Sequence, residues 1–578
     1  TNTYNTAVGA AAGAAVTTAE NNTLIGGLAG DALTTGAQNV VVGQGALSGD
    51  TKGNHSVAVG REALSVQNFT TSTNTYNVAV GDRAGYQVTT GKENTIVGGL
   101  AGDALTVGGN NAVLGYFALG TDTKGSLSVA IGPSALESQN FTTATNTYNT
   151  AVGAAAGAAV TTGVQNTLIG GLAGDALTDA DDNVVVGQGA LSNDTLGSKS
   201  TAIGRAALNS QNFTTATDSF NTAVGYFAGV SVTTAQVNTL IGALSGDALT
   251  SGNSNTALGY ATLSADTLGD RAVAIGVQAL TSQNFTTTTD NYNVAVGYLA
   301  GGAVTTGVQN TFVGGLAGDG TDDGLNNTAV GYGALSANCT SENVAVGASA
   351  LLVSTAGRNT AVGMGAGDSN TTGGDNVYIG YDAAAYLNDN TSGSANTIIG
   401  AFARTSSTTV SNELAIGRFV LGQGDATATL GLNGNGATIS IDGSDTSWAA
   451  HSDERLKDNI TTSTAGLSFI NDLRPVTYTW KAKNEISENF TNYYDAESSD
   501  PVNGTAGKTY HGFVAQEVKA TIDAHSEIAN GNNLWAERVD DIQQLAPGNF
   551  VPMLVKAVQE LSAQVTALQA EVNTLKGG

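Results

Sequence analysis

Asn5-Thr6-Ala7-Val8-Gly9 returns as Asn22-Thr23-Leu24-Ile25-Gly26, as Asn39-Val40-Val41-Val42-Gly43 and as Ser56-Val57-Ala58-Val59-Gly60. The marked glycine recurs three times at a step of 17 residues, then after 21 at Gly81, and the series restarts. The result is a 72-residue super-repeat, tracked without a slip by Tyr4, Tyr76, Tyr148, Phe220 and Tyr292. A chain so self-similar stacks like turns on one another instead of closing around one globular core. Marked glycines continue to Gly417, 24 in all. Each unit reads as a short strand. Asn opens it, small or β-branched residues fill it, and Gly closes it where the chain must turn sharply or approach the next coil. The Ala-Leu or Ala-Gly that follows, as at Ala46-Leu47 and Ala29-Gly30, reads as a second short, inward-facing strand. The interior is expected to admit Ala, Val, Leu and Ile and little else. At about 4.8 Å per coil, the stack would be on the order of 110 Å long.

Composition narrows the function classes. Gly does not stand at every third position, which excludes collagen, and the 41% apolar residues are periodic, which argues against disorder. Net charge is −27, of which −20 lies in residues 1–451. Such a surface repels nucleic acid and anionic membrane, so neither is an expected partner. Cys339 is alone, so no intrachain disulfide is expected. No run of 18 apolar residues exists, and the start at Thr1 inside a repeat leads us to expect a further upstream portion. The acidic loops Asp179–Asp182 and Asp319–Asp323 lack the spacing of known Ca²⁺ loops and read as solvated. No metal and no cofactor is expected.

Residues 1–417 resemble the head repeats of trimeric autotransporter adhesins, which form a left-handed parallel β-roll within a trimer. Ser128-Val129-Ala130-Ile131-Gly132 is the nearest match, and Leu127 departs from it where that family has Asn. A thin roll also leaves apolar flanks uncovered, which favours lateral association with copies of itself. Every fourth coil carries Gln-Asn-Phe-Thr-Thr, as at Gln67–Thr71, opening a Thr-rich bulge. Its Phe69, Phe141, Phe213 and Phe285 read in two ways: as glycan contacts in a lateral groove, or as fillers of the gap under the bulged loop or between chains.

Past Gly417 the period is lost. Residues 418–451 alternate like strands and read as a β-rich neck. Four of the five prolines and nearly half of the basic residues lie beyond 451. There the chain runs through Ser452-Asp453-Glu454-Arg455-Leu456-Lys457, Phe469–Pro475, Val476–Trp480, His511–Val518 and Val551–Leu561. This set, in this order, resembles the C-terminal intramolecular chaperone domain of phage tail fibres and tailspikes, classed as S74 peptidases. Phe550 departs from it where Tyr is usual. The resemblance implies a domain that trimerises, guides fibre folding and is then released by its own cut. It assigns Ser452 and Lys457 as the catalytic pair, His451–Ser452 as the scissile bond, and supporting roles to Asp453 and Arg455. A Lys desolvated among apolar neighbours can serve as the base that a Ser hydroxyl needs. Five residues of separation do not share a helical face, so the pair requires a bent segment or two chains. Read without the resemblance, Ser452 caps the following turn and Lys457 is solvated.

Leu554, Val558, Leu561, Val565, Leu568, Val572 and Leu575 form a heptad seam. Val at a with Leu at d favours two strands, whereas both resemblances imply three. The chain therefore reads as mainly β, with a repetitive parallel β-roll or β-solenoid shaft (1–417) in a trimer. A neck (418–451) and a small α+β chaperone domain ending in a coiled-coil helix (452–578) follow. The expected function is a homotrimeric, receptor-binding viral tail fibre, assembled in the host cytoplasm and extracellular on the virion. Its receptor is expected to be a host-surface glycan or protein, and its one reaction a single self-cleavage. The competing readings are a surface adhesin with the same chaperone and a polysaccharide depolymerase. The soluble heptad helix at the end argues against an autotransporter anchor, and no periodic carboxylate pair supports the depolymerase.

Overall fold

A computed structural model describes residues 3–385, 391–443, 449–450, 452–490, 493–503, 505–528, 534–537 and 541–577. The chain divides into two compact units, residues 1–451 and 452–578. The first is a β-solenoid. Twenty-four three-residue strands, from Thr6–Val8 to Leu414–Ile416, pair in parallel and in register, each against the strand one coil away. In every strand after the first, Thr6–Val8, the central side chain enters the core, as Leu24, Val41 and Ala58 do, and its neighbours face outward.

The marked glycines sit at φ between +124° and +149°, where L side chains are strained. A Cβ on Gly204 would lie 2.3 Å from the carbonyl oxygen of Gly225. Gly204→Ala is therefore expected to destabilise the solenoid by about 3 kcal/mol or more. Guanidinium unfolding followed by β-sheet circular dichroism measures this, and an unchanged midpoint would contradict it.

The Asn that opens most strands forms a buried ladder, interrupted at Ser56, Ser128, Ser200, Ala272 and Glu413. Asn22 Oδ1 accepts from the backbone N–H of Asn39 at 2.9 Å, and Asn39 Nδ2 donates to the Gly53 carbonyl at 3.0 Å. These amides replace water for backbone groups that a three-residue strand leaves unpaired.

Two expectations about the coil interior need correction. The second short strand expected at the Ala-Leu or Ala-Gly step does not form there. That segment runs through left-handed residues such as Leu28 (φ 58°) and Gly30 (φ 54°), which break an extended run. Ala29, Ala46 and Leu47 are nevertheless fully buried, and coil-to-coil hydrogen bonds such as Leu47 N–H to Ala63 O (2.9 Å) persist. Among the described residues, a second short ladder appears only at the four long coils, as Gly53–Asn54 beside Thr73–Asn74. The interior also admits aromatics, since Phe312 and Tyr378 are completely buried. Phe312 pairs with Ala295 and Ala329, so small residues on both adjacent coils make its space.

Residues past Gly417 close the stack. Thr427–Leu432 pairs in parallel with Leu414–Ile416 and antiparallel with Asn435–Ser440. The two-residue turn between them, Asn433 (φ 53°) and Gly434 (φ 80°), suits a tight hairpin. A hairpin on the last coil covers an edge that would otherwise template further pairing.

The second unit is small and α+β. Helices α1 (Leu467–Asp472) and α2 (Ala515–Ala524) and the first turns of α3 (Val551–Lys576) enclose a core of Phe469, Val518, Ile522 and Phe550. Glu560 of α3 accepts from the Leu467 N–H at 2.8 Å, tying the start of α1 to the terminal helix. Among the described residues, no helix is long and apolar enough to cross a membrane.

Candidate functional site

The segment that opens the second unit is one 3-10 turn, Glu454–Leu456, entered and left through extended backbone at Asp453 and Lys457. Asp453 is the cap. Its carboxylate accepts from the Arg455 N–H at 2.8 Å and holds the guanidinium through Nε (3.0 Å) and Nη2 (2.6 Å). That guanidinium keeps the Asp453 carboxyl below the usual carboxylate range. Ser452 is thus not the residue that caps the turn.

The tight turn, followed by extended backbone, brings residues five apart together within one chain: Lys457 Nζ donates to Ser452 Oγ at 2.7 Å. This is the bent segment that an α-helix could not supply. Both side chains are exposed, so among the described residues the apolar cover expected around Lys457 is not found. His451, the other half of the expected scissile bond, lies outside the described residues.

The seam residues of α3 are left uncovered. Leu554, Val558, Leu561, Val565, Leu568, Val572 and Leu575 are 44–81% exposed, the last at the far end of the helix. The alternative, a helix packed along its own domain, holds only for the first turns, where Ala557 is buried.

Phe69, Phe141, Phe213 and Phe285 are only 5–7% exposed, so they offer no ring face to a sugar, which corrects their reading as glycan contacts. They fill the space under the bulged loop, beside a buried polar node that the sequence reading missed. Asp50 Oδ1 accepts from Gly53 N–H (3.0 Å) and Phe69 N–H (3.1 Å), and Oδ2 accepts from Gln67 Nε2 (2.6 Å). Asp122, Asp194 and Asp266 repeat the arrangement with Gln139, Gln211 and Gln283. Burial raises the Asp266 carboxyl above the usual carboxylate range, and the hydrogen bonds from Gln283, Phe285 and Gly269 oppose that. The fixed 72-residue spacing of Asp and Gln was the available signal.

His525, also unassigned from sequence, pins α1 to α2. Its ring is 10% exposed, with Nδ1 2.8 Å from Glu527 Oε1 and Nε2 2.9 Å from Asp472 Oδ2. Hydrogen bonds to Glu527 and then Asp472 raise its pKa above the ordinary 6.5. The stability this contributes is fully present below the ordinary value and is lost as pH rises through the raised one. Tryptophan-detected melting of the C-terminal unit is thus expected to fall as pH is raised from below 6.5 through the raised value, and His525→Gln to remove most of that dependence. A wild-type melting point flat across this range would contradict it.

Residues 452–526 match the family model described as chaperone of endosialidase, peptidase S74. No curated protein matches the chain. A domain of this kind at the C-terminus of a β-solenoid fits a tail fibre or tailspike, and points to a trimerisation and folding chaperone for it.

Proposed function

We propose that the chain is a homotrimeric phage tail fibre that cleaves itself once. Residues 452–578 gather three chains, start the shaft in register, and are then cut away between His451 and Ser452. The observation that carries this reading is the Lys457–Ser452 hydrogen bond of 2.7 Å, made within the segment that matches the S74 model.

The step balances without a cofactor. Lys457 Nζ, as the neutral amine, takes the proton of Ser452 Oγ as that oxygen attacks the His451 carbonyl carbon. The C–N bond breaks, and the proton passes to the departing Ser452 amine. Water then hydrolyses the ester left on Ser452 Oγ and frees the His451 carboxylate. Association supplies what the single chain lacks. Covering the exposed Lys457 with apolar surface favours its neutral form, so cleavage waits on assembly. The exposed α3 seam supports this reading, as does an apolar stripe on the shaft that includes Leu114, Tyr116, Leu258, Tyr260, Val330 and Tyr332. The fibre would assemble in the host cytoplasm and act outside the cell, its shaft meeting a host-surface glycan or protein. A denaturing gel of freshly made chain tests the reading: two fragments meeting at 451–452 are expected, and a single uncut band overturns it.

A further inference from the structure

The residue five places before each marked glycine is left-handed in all 24 coils, from Tyr4 (φ 39°) to Asn412 (φ 58°). Coil-to-coil hydrogen bonds hold these residues in a column, as Asn21 N–H to Thr3 O (2.7 Å) and Gln38 N–H to Glu20 O (2.9 Å) do. Most rungs are polar, including Asn21, Gln38, Asn110 and Gln165, all exposed. At every fourth rung an aromatic ring stands half out of the surface: Tyr76 53%, Tyr148 55%, Phe220 54% and Tyr292 49% exposed. The rung before it supports the ring in three of the four cases. His55 stacks on Tyr76 at 5.1 Å and 16°, Lys199 lies 5.5 Å over Phe220, and Arg271 lies 5.7 Å over Tyr292.

This column differs chemically from the apolar stripe. There, consecutive large apolar side chains suit a second copy of the chain. Here, Tyr76, Tyr148 and Tyr292 are each followed by a polar rung (Glu93, Gln165 and Gln309), Phe220 by the exposed Val237, and the rings are flanked by loop hydroxyls and amides such as Thr71, Ser72 and Asn74. An isolated apolar ring face edged by hydrogen-bonding groups complements a sugar, which has an apolar C–H face and hydroxyl edges. The −20 charge of residues 1–451 disfavours an acidic polymer, and Lys199 and Arg271 are already paired with Asp218 and Asp290.

We propose that this column is a binding face for a neutral glycan chain, with Tyr76, Tyr148, Phe220 and Tyr292 as stacking platforms. Four coils separate successive platforms, about 19 Å, so one polymer engages several and gains avidity. Phe220 shows that the ring, not the phenol hydroxyl, is the shared element. The proposal deepens the reading of the shaft as receptor-binding.

The test is affinity electrophoresis of the purified protein in native gels cast with dextran, mannan or galactan. The uncleaved Ser452→Ala chain runs beside the processed one, so that processing and glycan binding are scored separately. Retardation of both forms by at least one polymer is expected. Replacing Tyr76, Tyr148, Phe220 and Tyr292 together by Ala is expected to weaken it at least about tenfold, a single replacement much less. Changing the three tyrosines to Phe should leave it within about twofold, which guards against a folding defect in the Ala variant. A wild-type chain that none of the three polymers retards, or Ala and wild-type chains retarded alike, overturns the proposal.

Discussion

Ser452→Ala is expected to leave a single uncut band where the wild-type chain gives fragments of residues 1–451 and 452–578. The substitution removes the hydroxyl oxygen placed 2.7 Å from Lys457 Nζ and alters nothing in the cap, which belongs to Asp453. Lys457→Ala is expected to slow cleavage by about 10²–10⁴, the usual worth of a positioned general base. Lys457→Arg separates chemistry from positioning. Arginine retains the charge and the hydrogen bond, yet it does not give up its proton in proteins, so it should not rescue cleavage if the amine is the base. If the Lys457→Arg chain cuts at near wild-type rate, Lys457 only orients the serine. Because both groups are exposed in one chain, wild-type cleavage should also fall when assembly is blocked by charged substitutions in the α3 seam, such as Leu561→Asp with Leu568→Asp.

The second large effect concerns folding. A chain made without residues 452–578 is expected to yield no soluble, ordered shaft, whereas removing them after processing should leave the shaft intact. The physical reason is degeneracy. Coils 17 residues apart carry nearly the same strand, and segments 72 residues apart nearly the same four coils. A pairing shifted by one whole period costs little locally and ruins the stack globally. Parallel coils also form slowly and expose unpaired edges while they form. A domain that gathers the chains at one end starts all of them in one register. On the proposed function, its later release would remove the route back and leave a fibre whose persistence is kinetic. Circular dichroism and light scattering of the truncated chain measure this, and a monodisperse, β-rich product would refute it.

The repeat was legible because a solenoid writes its geometry into spacing. Gly204 and Gly225 must be glycine, since each backbone touches the next at a distance no Cβ tolerates, so the coil length is printed as a glycine interval. The Asn column was visible as a strand opener, but its buried amide ladder was not, because the partners lie one coil away. Phe69 and Tyr76 share one period and one residue class, yet one ring is 7% exposed and the other 53%. Which of them turns inward depends on how the bulged loop folds over the Asp50 node, a contact between residues 19 apart. Ser452 and Lys457 were found through a family pattern, while helical spacing alone argued against their meeting.

From its order of residues alone, this protein was committed to a stack of glycine-closed coils, a compositional break after residue 451 and a heptad seam at its end. Those features follow from short-range sterics and periodicity, which need no knowledge of distant neighbours. Only the folded structure decided which aromatics are core and which are surface, that Asp453 and not Ser452 caps the turn, and that Lys457 reaches Ser452 within one chain. Each of those depends on how a turn or loop redirects the chain, and burial and reach are set by the resulting three-dimensional path, not by separation along the sequence.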